Sequence, residues 1–382
     1  MPDDRNRGAD DRLMTIAVTG ATGFLGKRVV ELLRDTPRVG RVRAIGPRAH
    51  GKESDRLVAR LDRFDEVIPA LQDCHALVHC AFDFYDMAFN LSMAETLAGA
   101  CAAAGIRLVH ISSAVVYEPF PDGRLDEAYP ANACGIPYKD TKIAIERLLL
   151  HHAAAFGLDV IILQPTIIYG PGGDAWLDSP VRELLTGDVL LPHEGMGVCN
   201  PVFVDDVCQA VISALDATVA SGERFLVSGP SPVAWGDFLG AFQDMLGTDS
   251  LRLVSGEELG FTPPAAPSGS HETARALRNL MMRRVARYLG RTARSRLNMQ
   301  VQCIRAAFRT KRRVYVPSGP KLALYCAQCR IGIDKARQYL GYAPQFDLER
   351  GMAASSPYVK SVYAKQIERQ RRRRMLLAQR CA

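Results

Sequence analysis

The stretch that decides the fold is TGATGFLG, residues 19–26. It ends the β-branched run TIAVTG (15–20) and leads into KRVVELLRD (27–35), whose apolar residues recur at helical spacing. RVRAI (41–45) then reads as a second strand, and a strand–helix–strand unit of this length predicts a parallel sheet. At such a turn, glycines let backbone N–H groups and the helix N-terminus approach a pyrophosphate. We therefore predict a dinucleotide-binding loop formed by Gly20, Thr22, Gly23, Phe24, Leu25 and Gly26.

The alternation of strand and helix patterns continues well beyond this loop. ALVHCAF (76–82) and IRLVHIS (106–112) are apolar runs too continuous for a sheet with one face in water. The Ala-rich segment 87–104 between them suits a helix that packs closely on the sheet. DVIILQP (159–165) and RFLVSG (224–229) add further strands. The pattern predicts an α/β fold, a doubly wound parallel sheet with helices on both faces.

Composition limits the class of protein. A chain of 382 residues with 48% hydrophobic residues can bury a large core. No apolar run approaches the roughly 18 residues of a membrane span, and the first residues are charged, so we expect a soluble, cytoplasmic protein. The ten cysteines show no disulfide framework, and the single CxxC, Cys326 and Cys329, has no partner pair, so we predict no metal site.

The net charge of +7 is unevenly distributed. Arginines crowd residues 275–313, and no acidic residue occurs between Glu272 and Asp334. This argues against nucleic-acid binding by the whole domain and for a local basic surface. The segment 272–313 reads either as a surface helix packed on the domain or as an interfacial helix that contacts anionic lipid or a phosphorylated substrate, with peripheral membrane association at the inner surface as a consequence.

The choice of cofactor is read at the end of the second strand. An acidic residue there would bind the adenosine ribose and repel a 2′-phosphate. The sequence RVRAIGPRAH (41–50) has Gly46 at this place, with Arg43 and Arg48 nearby. Space and positive charge favour NADP over NAD.

Three residues form a candidate catalytic set. Tyr138 and Lys142 are one helical turn apart in PYKDTKIAIERLLL (137–150), so both side chains lie on one face. An ammonium and an oxidised nicotinamide nearby would favour the phenolate, which makes tyrosine a usable acid and base. Ser113 ends the strand in ISSAVVY (111–117), where its hydroxyl can bond the same substrate oxygen.

The order of these motifs resembles the extended short-chain dehydrogenase/reductase superfamily, the NAD(P)-dependent epimerase/dehydratase group. TGATGFLG, LVHCAF, ISSAVVY, YKDTK with Glu146, PTIIYGPGG (165–173), VFVDDV (202–207) and YLGYAPQFDLERGM (339–352) occur in the order of that family. The resemblance implies a Rossmann-type fold with a smaller C-terminal substrate-binding lobe, and it supports Ser113, Tyr138 and Lys142 as catalytic. It also implies cofactor contacts from Ala81, Phe82, Pro165, Ile167 and Ile168, and a homodimer.

The implied organisation divides the chain as follows. Residues 1–13 form a disordered tail, and 14–165 form the NAD(P)-binding domain with a contribution from about 195–230. The substrate-binding lobe comprises 166–194 and 231–355 with the basic insertion 272–313, and residues 356–382 form a basic C-terminal helix or tail. Candidate substrate contacts are Tyr117, Tyr169, His193 and Asn200.

Departures from the family pattern narrow the reaction. Ala114 and Val115 follow Ser113 where sugar 4,6-dehydratases carry an acidic residue, so dehydration by that mechanism is not expected. Gln164 and Ile167 replace the Arg and Asn of many sugar-nucleotide epimerases. We rank an NADP-dependent reductase that interconverts a ketone and a secondary alcohol first, a nucleotide-sugar epimerase second, and a non-catalytic NADP-binding scaffold third.

Overall fold

The computed structural model describes residues 13–47, 55–255, 313–317 and 319–370. The tail at 1–12, Arg48, and almost all of the basic segment 272–313 lie outside these ranges. The strands are β1 (Met14–Thr19), β2 (Val39–Gly46), β3 (Arg56–Val58), β4 (Ala76–His79), β5 (Arg107–Ile111), β6 (Gly123–Leu125), β7 (Val160–Pro165), β8 (Ile167–Tyr169), β9 (Gly187–Leu191), β10 (Val198–Cys199), β11 (Pro201–Phe203), β12 (Glu223–Val227), β13 (Val233–Ala234), β14 (Leu251–Leu253), β15 (Arg313–Tyr315) and β16 (Cys329–Ile331).

The helices alternate with these strands in the first part of the chain and dominate its end. They are α1 (Phe24–Arg34), α2 (Phe64–Ala70), α3 (Met87–Ala104), α4 (Pro137–Phe156), α5 (Ser179–Thr186), α6 (Val204–Asp216), α7 (Trp235–Leu246), α8 (Pro320–Cys326), α9 (Asp334–Leu340) and α10 (Leu348–Val362). Short 3₁₀ turns cover Ala114–Tyr117 and His193–Gly195, and a π-helical turn covers Asp174–Asp178.

The centre of the fold is a seven-stranded sheet in the order β12-β7-β5-β4-β1-β2-β3. Every neighbouring pair in it is parallel. This confirms the doubly wound, Rossmann-type sheet predicted from the sequence. The chain runs outward from β1 in one direction to β2 and β3, and in the other to β4 and beyond, so the strand order reverses between β1 and β4. Ligands of such sheets bind at this reversal, outside the carboxyl ends of the strands.

Two apolar layers flank the sheet. Alternate residues of each central strand face opposite layers, so Val18 joins the layer that contains α1 and α6, whereas Ala17 joins the layer of α2, α3 and α4. Small residues in α3, among them Ala98 and Cys101, are fully buried and let this helix approach the sheet closely, as the Ala-rich sequence predicts.

Buried polar side chains lie on the face of the sheet that packs against α3 and α4, at the carboxyl ends of the strands. His79 and His110 are opposite each other on β4 and β5, with ring centroids 5.1 Å apart. Each side chain is 1% exposed. His79 Nδ1 pairs with the hydroxyl of Thr19 on β1 at 2.8 Å. Within the described residues, His79 Nε2 and both ring nitrogens of His110 have no hydrogen-bond partner.

The remaining strands form small sheets beside the main one. β9 pairs with β14 and β15, and three two-stranded ladders join β10 to β13, β11 to β8 and β16 to β6. An aromatic core around Trp235, which contacts Trp176, Phe238 and Tyr325, packs this part together.

The C-terminal segment 356–382, expected to be a basic helix or tail, is largely helical over its described part. Through residue 370 it packs against the fold, because Val359, Tyr363 and Ile367 are buried at helical spacing. The side chain of Gln370 also donates to the carbonyl of Leu185 at the end of α5. None of the helices in the described part of the chain is long and apolar enough to cross a bilayer.

Candidate active site

The loop between β1 and α1 has no room for a side chain at two of its glycines. Gly20 has φ +70°, and a β-carbon there would lie 2.7 Å from the backbone nitrogen of Ala81. A β-carbon on Gly26 would lie 2.3 Å from the carbonyl oxygen of Gly20. Gly23 caps α1 with no side-chain hydrogen bond, so the first N–H groups of α1 are not covered by a capping side chain. Such a helix start, reached by a backbone without side chains, fits a dinucleotide pyrophosphate.

The other loop residues divide between packing and solvent. Phe24 packs against Gly173 beyond β8, where a β-carbon would lie 2.9 Å from its ring. Leu25 is half-buried and Thr22 is exposed. Phe24 therefore ties the loop to the segment that follows β8, while Thr22 is accessible.

The three predicted catalytic residues meet at the carboxyl end of β5. Ser113 lies close enough to the Tyr138 hydroxyl to lower the pKa of Tyr138. Ser113 also caps the turn Ala114–Tyr117 by accepting from the backbone nitrogen of Val115 at 3.3 Å. One turn along α4, the Nζ of Lys142 donates to the carbonyl oxygen of Ile111 at 2.8 Å. The structure thus brings Ser113, Tyr138 and Lys142 together.

Burial is the main cause of the pKa shifts of Tyr138 and Lys142. Burial raises the pKa of Tyr138 above its ordinary value, the hydrogen bond from Ser113 opposes this, and the Glu118 carboxylate adds to it. Burial lowers the pKa of Lys142 to about 8, while the nearby Glu146 opposes the shift. In the protein alone Tyr138 therefore holds its proton at neutral pH, because desolvation outweighs its hydrogen bond.

Glu118 is a site residue that the sequence reasoning missed. It follows the turn Ala114–Tyr117, and its half-buried carboxyl group acts on Tyr138 electrostatically. Lys139, which is fully buried, donates to the backbone carbonyl of Glu118 and fixes its position. Burial raises the pKa of Glu118, and Lys139 opposes this. The only sequence signal is the adjacency of Lys139 to Tyr138, which does not reveal a partner 21 residues away.

A second buried carboxylate, that of Glu146, accepts hydrogen bonds from residues next to Ser113. Glu146 is 3% exposed and accepts a hydrogen bond from the hydroxyl of Ser112. Its two carboxylate oxygens lie 2.9 and 3.1 Å from the amide nitrogen of Gln164, which donates to them. The Tyr117 hydroxyl donates to Gln164 Oε1 at 2.8 Å. Arg224 lies 4.0 Å from Glu146. Burial raises the pKa of Glu146, and its hydrogen bonds oppose this. The network joins β5, α4 and β7 immediately behind Ser113.

The residues expected near the cofactor line the same edge of the sheet. Ala81 touches Gly20, and the Phe82 ring centroid lies 4.5 Å from the Nζ of Lys142. Pro165 ends β7 beside Val227 of β12. Ile167 is buried and Ile168 half-buried in β8.

β2 has open space at Gly46, but the guanidinium of Arg43 lies elsewhere. A β-carbon placed at Gly46 would meet no atom within 4 Å, so space is present where an acidic side chain would sit. Arg43 does not point there. Its guanidinium is buried and donates to the carbonyls of Ala70 and Gln72 at 3.1 and 2.5 Å. Arg43 is therefore occupied in packing, and Arg48 lies outside the described residues.

The four candidate substrate contacts have different surroundings. Tyr169 is 1% exposed and packs against Gly351, and Tyr117 is equally buried in the Gln164 network. The side chain of Asn200 bridges the carbonyl of Cys329 and the N–H of Ile331 at 2.8 and 3.0 Å. The polar groups of Tyr117, Tyr169 and Asn200 thus have partners within the protein, and their roles as substrate contacts stay predictions. His193 is exposed and stays a prediction.

Comparison with known proteins assigns the family. Residues 16–228 match the model of the NAD dependent epimerase/dehydratase family. Dihydroflavonol 4-reductase of Zea mays is 27% identical over 262 residues, which cover 59% of this chain and 72% of that protein. A hybrid PKS-NRPS synthetase, lepA of Aspergillus flavus, is 27% identical over 199 residues, which cover 45% of this chain and 5% of the synthetase. The chain thus spans about a twentieth of the length of that relative.

Solved structures show the same fold. UDP-glucuronic acid 4-epimerase from Bacillus cereus, in complex with NAD, has a TM-score of 0.63 at 18% identity and covers 92% of this chain and 100% of its own. dTDP-glucose 4,6-dehydratase from Bacillus anthracis, also with NAD, has a TM-score of 0.64 at 17% identity and covers 92% of this chain and 98% of its own. These structures share the Rossmann-type fold of this chain. The chain belongs to the NAD dependent epimerase/dehydratase family.

Proposed function

We propose that this enzyme interconverts a ketone and a secondary alcohol, with Tyr138 as general acid and base and with NADP as the favoured cofactor. The observation that carries the proposal is the grouping of Ser113, Tyr138 and the buried Lys142 at the carboxyl end of β5, where Ser113 lowers the pKa of Tyr138. When bound, the nicotinamide supplies the hydride to the carbonyl carbon or accepts it from the alcohol. The glycine loop would hold the pyrophosphate, and Lys142 and the segments at Ala81 and Pro165 would adjoin the nicotinamide end.

The chain's own residues handle the proton and the oxygen. In reduction, the Tyr138 hydroxyl donates its proton to the carbonyl oxygen as that oxygen gains negative charge. Ser113 donates a hydrogen bond to the same oxygen and holds it in place. The phenolate left on Tyr138 is stabilised by the Lys142 ammonium and regains a proton from solvent. Because burial keeps the pKa of Tyr138 high, the residue carries the proton that reduction requires.

Two features support a reductase over the alternatives. Dihydroflavonol 4-reductase is among the curated relatives and aligns over most of its own length. Ala114, which is buried, and Val115 have no ionisable side chain, so the position after Ser113 offers no acid for elimination of water. NADP is supported by the open space at Gly46 and by the absence of an acidic side chain there.

Substitution of Tyr138 tests the proposal. With NADPH and a ketone, Tyr138→Phe should lower kcat/KM by about 10²- to 10⁴-fold, because it removes the proton donor. NADP binding, measured by calorimetry, should stay unchanged. Tyr339→Phe is the matched control, since Tyr339 lies on α9 and is 53% exposed.

The same assay separates the alternatives. If a nucleotide sugar is epimerised with no net NADPH consumption, the protein is an epimerase and the reductase proposal is wrong. If Tyr138→Phe leaves the cellular function intact while NADP binding is required, the protein is a scaffold.

A further inference from the structure

Two phenylalanines after β4 contact the catalytic tyrosine. The rings of Phe84 and Tyr138 are stacked, with centroids 5.6 Å apart and planes at 21°. Phe82 meets Tyr138 edge-on at 5.2 Å and Phe84 at 5.1 Å. We call Phe82 and Phe84 the aromatic wall. These separations are those of favourable aromatic pairs.

A network of hydrogen bonds holds the wall in place. Asn90 of α3, fully buried, accepts from the backbone nitrogen of Asp83 at 2.8 Å and donates to its carbonyl at 2.7 Å. The Asp83 carboxylate accepts from the backbone nitrogen of Tyr85 at 2.8 Å. These hydrogen bonds fix the backbone on both sides of Phe84. Asp86 caps α3 directly afterwards.

The wall ends in an apolar surface beside the reacting groups. Phe84 is 57% exposed, although it lies against Tyr138. A large apolar ring held rigidly at the surface next to a catalytic hydroxyl is suited to contact an apolar ligand. Hydroxyl groups of a saturated sugar ring would gain no hydrogen bond from these two faces, whereas a planar apolar ring would stack on them.

We infer that the aromatic wall selects the substrate, and that the substrate is a ketone whose carbonyl is attached to a planar apolar ring. The inference rests on the proposed ketone reduction and adds the class of substrate. The ring would extend from the carbonyl bound at Tyr138 and Ser113 across the exposed face of Phe84. The wall thereby favours an aryl ketone over an aliphatic ketone of equal size.

Two ketones of the same carbon skeleton test the inference. Acetophenone has a planar ring, and cyclohexyl methyl ketone has a puckered one. With the full chain and NADPH, we expect kcat/KM to be higher for acetophenone. Phe84→Ala should lower the ratio of kcat/KM for acetophenone to that for cyclohexyl methyl ketone about three- to tenfold, as loss of one aromatic pair predicts. Phe84→Tyr should restore the preference. Phe156→Ala removes a ring that is 62% exposed at the end of α4 and should leave the preference unchanged.

A binding measurement separates the inference from the proposed function. The affinity of each ketone for the complex with NADP is measured by ligand-observed NMR, with and without Phe84→Ala. Binding of acetophenone that depends on Phe84 but gives no turnover would support the wall and overturn the reductase proposal. Turnover of both ketones with equal kcat/KM, unaffected by Phe84→Ala, would overturn the wall and leave the reductase. Absence of both binding and turnover would overturn both.

Discussion

Gly46 at the end of β2 shows how one missing side chain bears on cofactor choice. The position has room for a carboxylate and lacks one, while the arginine at position 43 is turned into the core. The discrimination expected of this enzyme therefore depends on the absence of repulsion more than on a phosphate-binding guanidinium within the described residues.

Gly46→Asp should reverse the cofactor preference. The new carboxylate would accept hydrogen bonds from the adenosine ribose and repel a 2′-phosphate, so the ratio of kcat/KM for NADPH to that for NADH should fall about tenfold or more. Steady-state kinetics with both cofactors measure it. Gly240→Asp, in α7 with equally open surroundings, should leave the ratio unchanged. An unaltered ratio in Gly46→Asp would show that β2 does not read the ribose.

At the scale of elements, the important junction is the one between β5, α4 and β7. Ser113 directly follows Ser112, and the Ser112 hydroxyl donates a hydrogen bond to Glu146 of α4. Gln164 of β7 donates to the same carboxylate. The position of the Ser113 hydroxyl, which we propose to be catalytic, therefore depends on the buried hydrogen-bond network of Ser112, Glu146 and Gln164.

Glu146→Ala should destabilise the fold by about 3 kcal/mol, because it leaves the Ser112 hydroxyl and the Gln164 amide buried without their acceptor. Glu146→Gln should cost less than half as much, since the amide keeps one acceptor oxygen and avoids burial of a charge. Urea unfolding measures both free energies. Glu95→Ala, on the exposed end of the His152 ion pair, should cost about 0.5 kcal/mol or less. Equal losses at positions 146 and 95 would contradict the role given to the network.

Over the whole molecule, periodicity and motif order predict the central sheet well. The strands β4, β5 and β7 are largely apolar runs, and α1 has apolar residues at helical spacing, so local sequence carries the signal. The ladders β6 with β16 and β10 with β13 were not predicted, because two- and three-residue strands show no periodicity and pair across long sequence distances.

The site was predictable where a motif fixes a residue's place and not where tertiary packing decides. Ser113, Tyr138 and Lys142 follow from strand ends and helical spacing. Glu118 reaches Tyr138 through a turn, and the burial of Tyr169 depends on Gly351 nearly two hundred residues later. Neither of these two contacts can be predicted from the local sequence.

The histidine pair on β4 and β5 determines how the whole fold responds to acid. Burial lowers the pKa of His79 to about 3 and that of His110 well below its ordinary value, and the Lys142 ammonium adds to both shifts. An unfolded chain protonates these rings near pH 6.5, whereas the folded chain does not. Below that pH each buried ring therefore lowers the free energy of unfolding by about 1.4 kcal/mol per pH unit until its folded pKa is reached.

His110→Leu should make the protein more resistant to acid. Because the leucine takes up no proton on unfolding, the slope of unfolding free energy between pH 6 and 4 should decrease by about 1.4 kcal/mol per unit. Urea titrations at several pH values measure it. A slope unaffected by His110→Leu would mean that the ring is already charged in the folded state. Two buried imidazoles near Lys142 thus lower the free energy of unfolding in acid.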